Sequence, residues 1–167
     1  ILVEKSAEEQ LIKALSEELE KYPSSNDNFA DHYTRIINTK NFDRLNGLID
    51  ANKICYGGYT NREARFISPT LLRNVSFDDK IMEDEIFGPL LPILSFTNLD
   101  ATIQEVKARP KPLSCYIYSS NKKTVKKLLH EISFGGGAVN DSLMHLSNSN
   151  LPFGGVGPSG MGQYHSR

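Results

Sequence analysis

Strand and helix patterns alternate through the second half of the chain, and this alternation leaves few possible topologies. An extended apolar run at residues 90–96, interrupted by Pro92, precedes a helical pattern that Asn98 caps. A second extended run at residues 113–118 precedes a helical pattern that Asn121 caps, and Gly135-Gly136-Gly137 then opens a third strand. Strands that alternate with helices favour parallel pairing through helical crossovers. The sequence therefore predicts an α/β fold with an open, mostly parallel sheet flanked by helices.

Two further helices are predicted in the first half of the chain. Ser6 and Glu9 have the spacing of a capping box, and apolar residues at helical spacing follow them until Pro23. A second helical pattern covers about residues 30–50, with Asp31 as its expected N-cap.

Two strands and a long loop complete the predicted elements. Strand patterns cover residues 53–56 and 66–75, with Pro69 expected at an edge or a bulge. The final segment, residues 142–167, is rich in Gly, Ser and Asn and is predicted to be a loop. Because neither a repeat nor a linker is evident, we expect one α/β layer structure.

The charge balance and the cysteine content exclude several classes of protein. Lys and Arg total 19, Asp and Glu total 20, and the net charge is −1. This balance argues against a nucleic-acid partner, which calls for a basic surface. No apolar run approaches the roughly 20 residues that a membrane span needs, and two cysteines do not make a disulfide scaffold. We expect a soluble, cytoplasmic protein.

The chain opens on three consecutive apolar residues, Ile1-Leu2-Val3. Such a run predicts a strand that needs neighbours on both faces, whereas a natural terminus is usually polar. We therefore expect residue 1 to be a cut inside a larger fold.

A glycine-rich loop at residues 153–162 contains Gly155, Gly157 and Gly160 at the spacing of the dinucleotide-binding fingerprint. That fingerprint must open a helix within a unit of about 30 residues, and only seven residues follow Gly160. The alternative is a tight turn whose glycines permit positive φ and close backbone approach. The context favours the tight turn.

The segment Glu85-Ile86-Phe87-Gly88-Pro89 predicts a turn before a strand. The Glu85 carboxylate could accept hydrogen bonds from ribose hydroxyls, and Phe87 could cover a flat ring. Alternatively, Glu85 is a solvated charge beside a turn and Phe87 is a core residue. The residues alone leave both interpretations open.

The candidate metal ligands and nucleophiles lack a supporting motif. The carboxylates at residues 78–85 do not alternate as in a calcium loop, and the four histidines lack the spacing of a zinc site, so we expect no bound metal. Cys55 and Cys115 lie in strand patterns, where inert buried thiols are the rule, although either could be a nucleophile.

Three segments, in this order and spacing, resemble one family. The segment at residues 85–89, then Val139-Asn140-Asp141, then the run at residues 151–162 are similar to the C-terminal part of an aldehyde dehydrogenase. Residues 116–121 and the ending Tyr164-His165 resemble the class 3, or fatty aldehyde dehydrogenase, branch. The resemblance covers nearly the whole chain.

The resemblance implies oxidation of aldehydes, fatty or aromatic ones among them, to carboxylic acids with NAD or NADP. In the family a cysteine thiolate attacks the aldehyde, a glutamate activates water, and an asparagine stabilises the oxyanion. All three lie before the region that matches here, as does the Rossmann domain. Residues 1–167 would thus be part of a catalytic domain, inactive alone, of an enzyme expected to be a homodimer.

The resemblance also implies roles for six residues. Glu85 would bind the ribose hydroxyls of the nicotinamide side, and Phe87 would pack near the nicotinamide ring. Phe153 would line the substrate tunnel. The remaining tunnel residues would be Leu146 and Ser147 along the wall and His165 near the mouth. Two alternatives stay open: a binding module without catalytic activity that keeps the fold, and an independent enzyme that uses a thiol of its own.

Overall fold

The computed structural model describes residues 1–21 and 33–164. The chain divides into two compact units, Ile1–Thr97 and Asn98–Arg167. The boundary falls directly at the cap of a helix, with no Pro-, Gly- or Ser-rich linker. Composition therefore gives no sign of this division, and the expectation that residues 1–167 are part of one catalytic domain stays a prediction.

The strands are short, and the longer ladders are parallel. In the first unit, β1 (Leu2–Glu4) pairs with β7 (Leu94–Phe96), and β5 (Thr70–Leu72) pairs with β6 (Leu90–Pro92), both parallel. Antiparallel pairs join β2 (Ile54–Tyr56) to β5, and β3 (Thr60–Asn61) to β4 (Phe66–Ile67). In the second unit, β8 (Ser114–Ile117) and β9 (Gly136–Val139) are parallel, and β10 (Phe153–Gly154) and β11 (Gln163–Tyr164) are antiparallel.

Helices precede or connect these strands. They are α1 (Glu8–Leu19), α2 (Thr39–Asn46), α3 (Leu99–Lys107), α4 (Lys122–Glu131) and α5 (Met144–Ser147). The predicted caps of α3 and α4 are confirmed, since the Asn98 Oδ1 accepts the Ala101 N–H at 3.1 Å and the Asn121 Oδ1 accepts the Lys123 N–H at 3.0 Å. The predicted α/β fold, with small, mostly parallel sheets and flanking helices, is confirmed.

The core of the first unit lies on both faces of β5. Leu71 belongs to one buried cluster, which includes Ile12 of α1. Leu72 belongs to the other, which includes Leu45 of α2. Because successive strand residues point to opposite faces, one short strand contributes to both clusters. Helices thus cover the two faces of the β2–β5–β6 sheet.

The predicted start of the first helix is wrong. Ser6 lies in a 3₁₀ turn, Lys5–Ala7, and α1 begins at Glu8 with Ala7 as an N-cap that makes no side-chain bond. The Lys5 ammonium donates to the buried Glu8 carboxylate at 2.5 Å, so an ion pair lies where the cap was expected. Pro23 and Asp31, expected to end and begin helices, lie outside the described residues.

The second predicted helix is much shorter than its apolar pattern. It begins at Thr39, where the Asn38 side chain accepts the Asn41 N–H at 2.8 Å. Before it, the Ile36 N–H donates to the Arg65 carbonyl at 2.9 Å, and the Tyr33 hydroxyl donates to the Ile67 carbonyl at 3.1 Å. Tertiary hydrogen bonds therefore replace helix formation at these positions.

The strand predicted at residues 66–75 is broken into β4 and β5, with Pro69 between them. The Thr70 N–H donates to the Pro89 carbonyl at 2.9 Å, and this bond holds the start of β5 beside β6.

The predicted loop at residues 142–167 contains α5 and the β10–β11 pair, which were not predicted. No helix within the described ranges is long and apolar enough to cross a membrane.

Candidate functional site

Glu85 and Phe87 lie on one turn of the first unit. The turn follows a 3₁₀ turn at Lys80–Met82 and leads into β6. Glu85 is exposed, and within residues 1–21 and 33–164 no hydrogen bond or ion pair engages its carboxylate. Both carboxylate oxygens are therefore free to accept hydrogen bonds from a ligand.

The backbone on either side of Phe87 is anchored, and its ring points away from the core. Arg44 donates from Nη2 to the Ile86 carbonyl at 2.6 Å. A Cβ added at Gly88 would lie 2.6 Å from the Leu45 methyl groups, so the backbone rests on the core there. Phe87 has φ of 47° and is 78% exposed. The interpretation of Phe87 as a core residue is therefore wrong.

Four aromatic rings of the second unit form a row, which we call the aromatic row: Tyr116, His145, Phe153 and Tyr164. The centroids of Tyr116 on β8 and His145 on α5 are 5.6 Å apart. His145 lies 6.2 Å from Phe153 on β10, which meets Tyr164 on β11 edge-on at 6.0 Å. Phe153 is thus held between two rings and remains only half-buried.

The segment that carries α5 leaves β9 through a fixed turn. The Asn140 side chain accepts the Ser119 N–H at 2.9 Å and donates to the Ser119 carbonyl at 3.2 Å. Leu146 and Ser147 lie on α5, where Leu146 is 39% exposed and the Ser147 hydroxyl donates to the Met144 carbonyl at 2.9 Å. The predicted tunnel residues Phe153, Leu146 and Ser147 therefore belong to one unit.

The glycine-rich loop is a tight turn closed on itself. Ser159 Oγ accepts the Val156 N–H at 2.9 Å and donates to the Val156 carbonyl at 3.1 Å. Gly157 has φ of 61°, and a Cβ at Gly155 would lie 2.2 Å from the Ser159 carbonyl carbon. A strand follows the turn, where the dinucleotide fingerprint needs a helix. The tight-turn interpretation is confirmed.

Neither cysteine lies in surroundings that activate a thiol. Burial raises the pKa of the Cys55 thiol, with the Arg73 guanidinium partly opposing this effect. Burial alone raises the pKa of the Cys115 thiol. Since the thiolate is the nucleophile, both environments lower the reactive fraction at neutral pH. In the part of the chain that is described, no group of His, Cys, Asp or Glu could hold a metal ion.

The predicted site residues are divided between the two units, and the structure adds others. Glu85 and Phe87 belong to the first unit, the tunnel residues belong to the second, and His165 lies outside the described residues. Sequence reasoning did not predict His145 as a neighbour of Phe153, or Tyr116 as a neighbour of His145. Their rings come from segments separated along the chain, so no local pattern could have joined them.

The family model of the aldehyde dehydrogenase family matches residues 1–167. The chain is 41% identical to Aldehyde dehydrogenase family 3 member A2 of Rattus norvegicus, over all of this chain and 34% of the relative. It is 40% identical to Aldehyde dehydrogenase, dimeric NADP-preferring, of Bos taurus, over all of this chain and 70% of the relative.

A solved structure is also similar, and it shows the same fold. The substrate-bound state of Staphylococcus aureus AldH superposes with a TM-score of 0.92 at 47% identity, over 99% of this chain and 36% of that one. The chain spans about a third of the length of the first curated relatives that it matches. The predicted resemblance to the class 3 branch is confirmed, and the chain belongs to the aldehyde dehydrogenase family.

Proposed function

We propose that residues 1–167 form part of the catalytic domain of an enzyme that oxidises aldehydes to carboxylic acids with NAD or NADP. Family membership over the whole chain supports the reaction class, and the name of the bovine relative supports NADP among the cofactors. The observation that carries the proposal is the turn that presents Glu85 beside an exposed Phe87, with a carboxylate that no described residue engages.

The chemistry of this turn fits a nicotinamide nucleotide. A carboxylate accepts hydrogen bonds through two oxygens, and the two hydroxyls of a ribose can donate to both. The exposed Phe87 ring offers an apolar face of the kind that packs against a flat heterocycle. The bound nicotinamide supplies the hydride acceptor, and this chain's part is to hold and orient it.

Phe153 would form part of the tunnel wall that receives the aldehyde. Its ring is half-buried between His145 and Tyr164, so it can present one apolar face while its position is held. Leu146 and Ser147 on α5 would continue the wall. His165 near the tunnel mouth remains a prediction.

The reactive groups would lie elsewhere in the full-length protein. The partial burial of Cys55 and Cys115, which raises the pKa of both thiols, argues against a nucleophile in this chain. We therefore assign the nucleophilic cysteine, the general-base glutamate, the oxyanion asparagine and the Rossmann domain to sequence upstream of residue 1. A fatty or aromatic aldehyde as substrate, a homodimer and a cytoplasmic location remain predictions, and the word dimeric in the bovine relative's name supports the homodimer.

The reaction can be tested with the full-length protein that contains this chain. Incubated with an aldehyde and NAD or NADP, it should form carboxylic acid and reduced cofactor in a one-to-one ratio. The isolated 167-residue chain should form neither, because it lacks the nucleophile. Absence of turnover by the full-length protein with either cofactor, across short, long and aromatic aldehydes, would instead favour a binding module that keeps the fold.

A further inference from the structure

The imidazole of His145 lies directly on the glycine backbone at the start of β9. A Cβ built on Gly136 would be 2.8 Å from the His145 Cδ2 and 3.1 Å from its Nε2. A neighbouring glycine makes a second close contact, since a Cβ on Gly135 would be 2.2 Å from the carbonyl oxygen of Gly154 on β10. The two glycines therefore form a flat base for the His145 ring and for the strand that carries Phe153.

The ring nitrogens of His145 make no hydrogen bond to the residues that the structure describes. Both Nδ1 and Nε2 are buried, and neither has a hydrogen-bond partner among the residues that the structure describes. Buried polar atoms without partners are rare and destabilising, so each one calls for an explanation. The neighbours of this imidazole are Gly136 and the rings of Tyr116 and Phe153. The side chain therefore acts here through the shape of its ring.

The location of the ring determines which side chain it supports. His145 contacts Phe153 on one side, and the exposed Tyr164 contacts Phe153 edge-on from another. Because β10 is only two residues long, its short ladder gives limited support to the Phe153 backbone. Loss of the His145 ring would open the space behind Phe153 and let that side chain change rotamer.

We propose that His145 is a positioning residue that sets the orientation of Phe153 and, through it, the selectivity of the enzyme among aldehydes of different length. The proposal rests on the proposed function, in which Phe153 lines the aldehyde tunnel. A shift of one aromatic wall changes the fit of a long substrate more than that of a two-carbon one. The effect of His145 is therefore measured as a ratio of two specificity constants, one for a long aldehyde and one for a two-carbon aldehyde.

The test compares kcat/KM for decanal with kcat/KM for acetaldehyde in variants of the full-length protein. We expect His145→Ala to change this ratio about tenfold, in the same direction as Phe153→Ala. General destabilisation lowers the active fraction equally for both substrates and leaves the ratio unchanged. The matched control is His130→Ala, which removes an exposed imidazole on α4 and should preserve the ratio.

Two further variants test whether His145 acts through the shape of its ring rather than through its nitrogens, and whether it acts through Phe153. His145→Phe keeps a ring and should hold the ratio within about twofold of the unaltered protein. In a Phe153→Ala background, His145→Ala should change the ratio no further, because residues that act through one another are non-additive. A ratio that His145→Phe shifts as far as His145→Ala, or additive effects in the double variant, would overturn the role of His145.

These outcomes separate the inference from the proposed function. If Phe153→Ala leaves the ratio unchanged in an active enzyme, the tunnel role of Phe153 fails and the inference fails with it. If Phe153→Ala changes the ratio but His145→Ala does not, only the inference fails. An inactive but folded full-length protein contradicts the proposed function itself.

Discussion

Replacement of Glu85 by Gln in the full-length protein is expected to lower kcat/KM for the oxidised cofactor by about 10- to 100-fold, the range for a lost hydrogen bond to a charged group. The substitution keeps the size of the side chain but removes its charge and turns one acceptor into a donor. Since Glu85 is exposed and unengaged within the described ranges, the change should cost little stability. The measurement is the initial rate at varied cofactor and saturating aldehyde.

The matched control for this prediction is Glu83→Gln, a second exposed glutamate just before the turn. It makes the same change of charge two residues away, so any general electrostatic effect on a negatively charged cofactor appears in both variants. We expect the Glu83 variant to stay within about twofold of the unaltered enzyme. Equal kinetics for the two variants would remove Glu85 from the cofactor site.

Gly135→Ala is expected to destabilise the protein by about 3 kcal/mol, at the upper end of the usual cost of overpacking. A Cβ at this position would lie 2.2 Å from the Gly154 carbonyl oxygen and 2.6 Å from the Leu113 carbonyl oxygen. Both obstacles are backbone atoms, which cannot turn aside as the end of a side chain can. The strands that carry Phe153 and Tyr116 would have to move away from Gly135, and the midpoint of urea unfolding should fall.

Gly162→Ala provides the control, because a Cβ at Gly162 would meet no atom of the described structure within 4 Å. A surface change of this kind usually alters stability by less than about 0.5 kcal/mol. We expect unfolding midpoints that differ clearly between the two alanine variants. If Gly135→Ala unfolds at the same urea concentration as Gly162→Ala, the close approach of β9 and β10 is incorrect.

Local signals predicted the elements whose ends are determined by nearby residues. Asn98 and Asn121 cap their helices because each side chain bonds to a backbone N–H two or three residues ahead. The parallel ladder that joins β8 to β9 across α4 agrees with the predicted crossover. These features depend on residues close together along the chain, so the sequence contains most of the information.

Elements determined by distant partners could not be predicted. The apolar pattern at residues 30–50 is helical in spacing, yet Tyr33 and Ile36 bond to residues near β4. Ser6 has the sequence of a cap, but the ion pair of Lys5 with Glu8 accompanies a 3₁₀ turn there. Partners of this kind are chosen by the tertiary fold, which a single sequence does not display.

The candidate site likewise has one part that nearby residues predict and one part that depends on distant residues. The turn that carries Glu85 and Phe87 was recognisable from five consecutive residues, and the structure exposes both side chains. The support of Phe153 by His145 depends on two side chains that only the packing of α5 against β9 brings together. Residue types alone could not reveal that packing.

In the function that we propose, this chain holds the cofactor and lines the aldehyde tunnel but does not supply the nucleophile. The most direct test is aldehyde-dependent formation of reduced cofactor by the full-length protein in which both Cys55 and Cys115 are replaced by Ala. We expect turnover within about threefold of the unaltered protein, because neither thiol takes part in the chemistry. Loss of turnover in a variant whose unfolding midpoint is unchanged would contradict it and would place the nucleophile within these 167 residues.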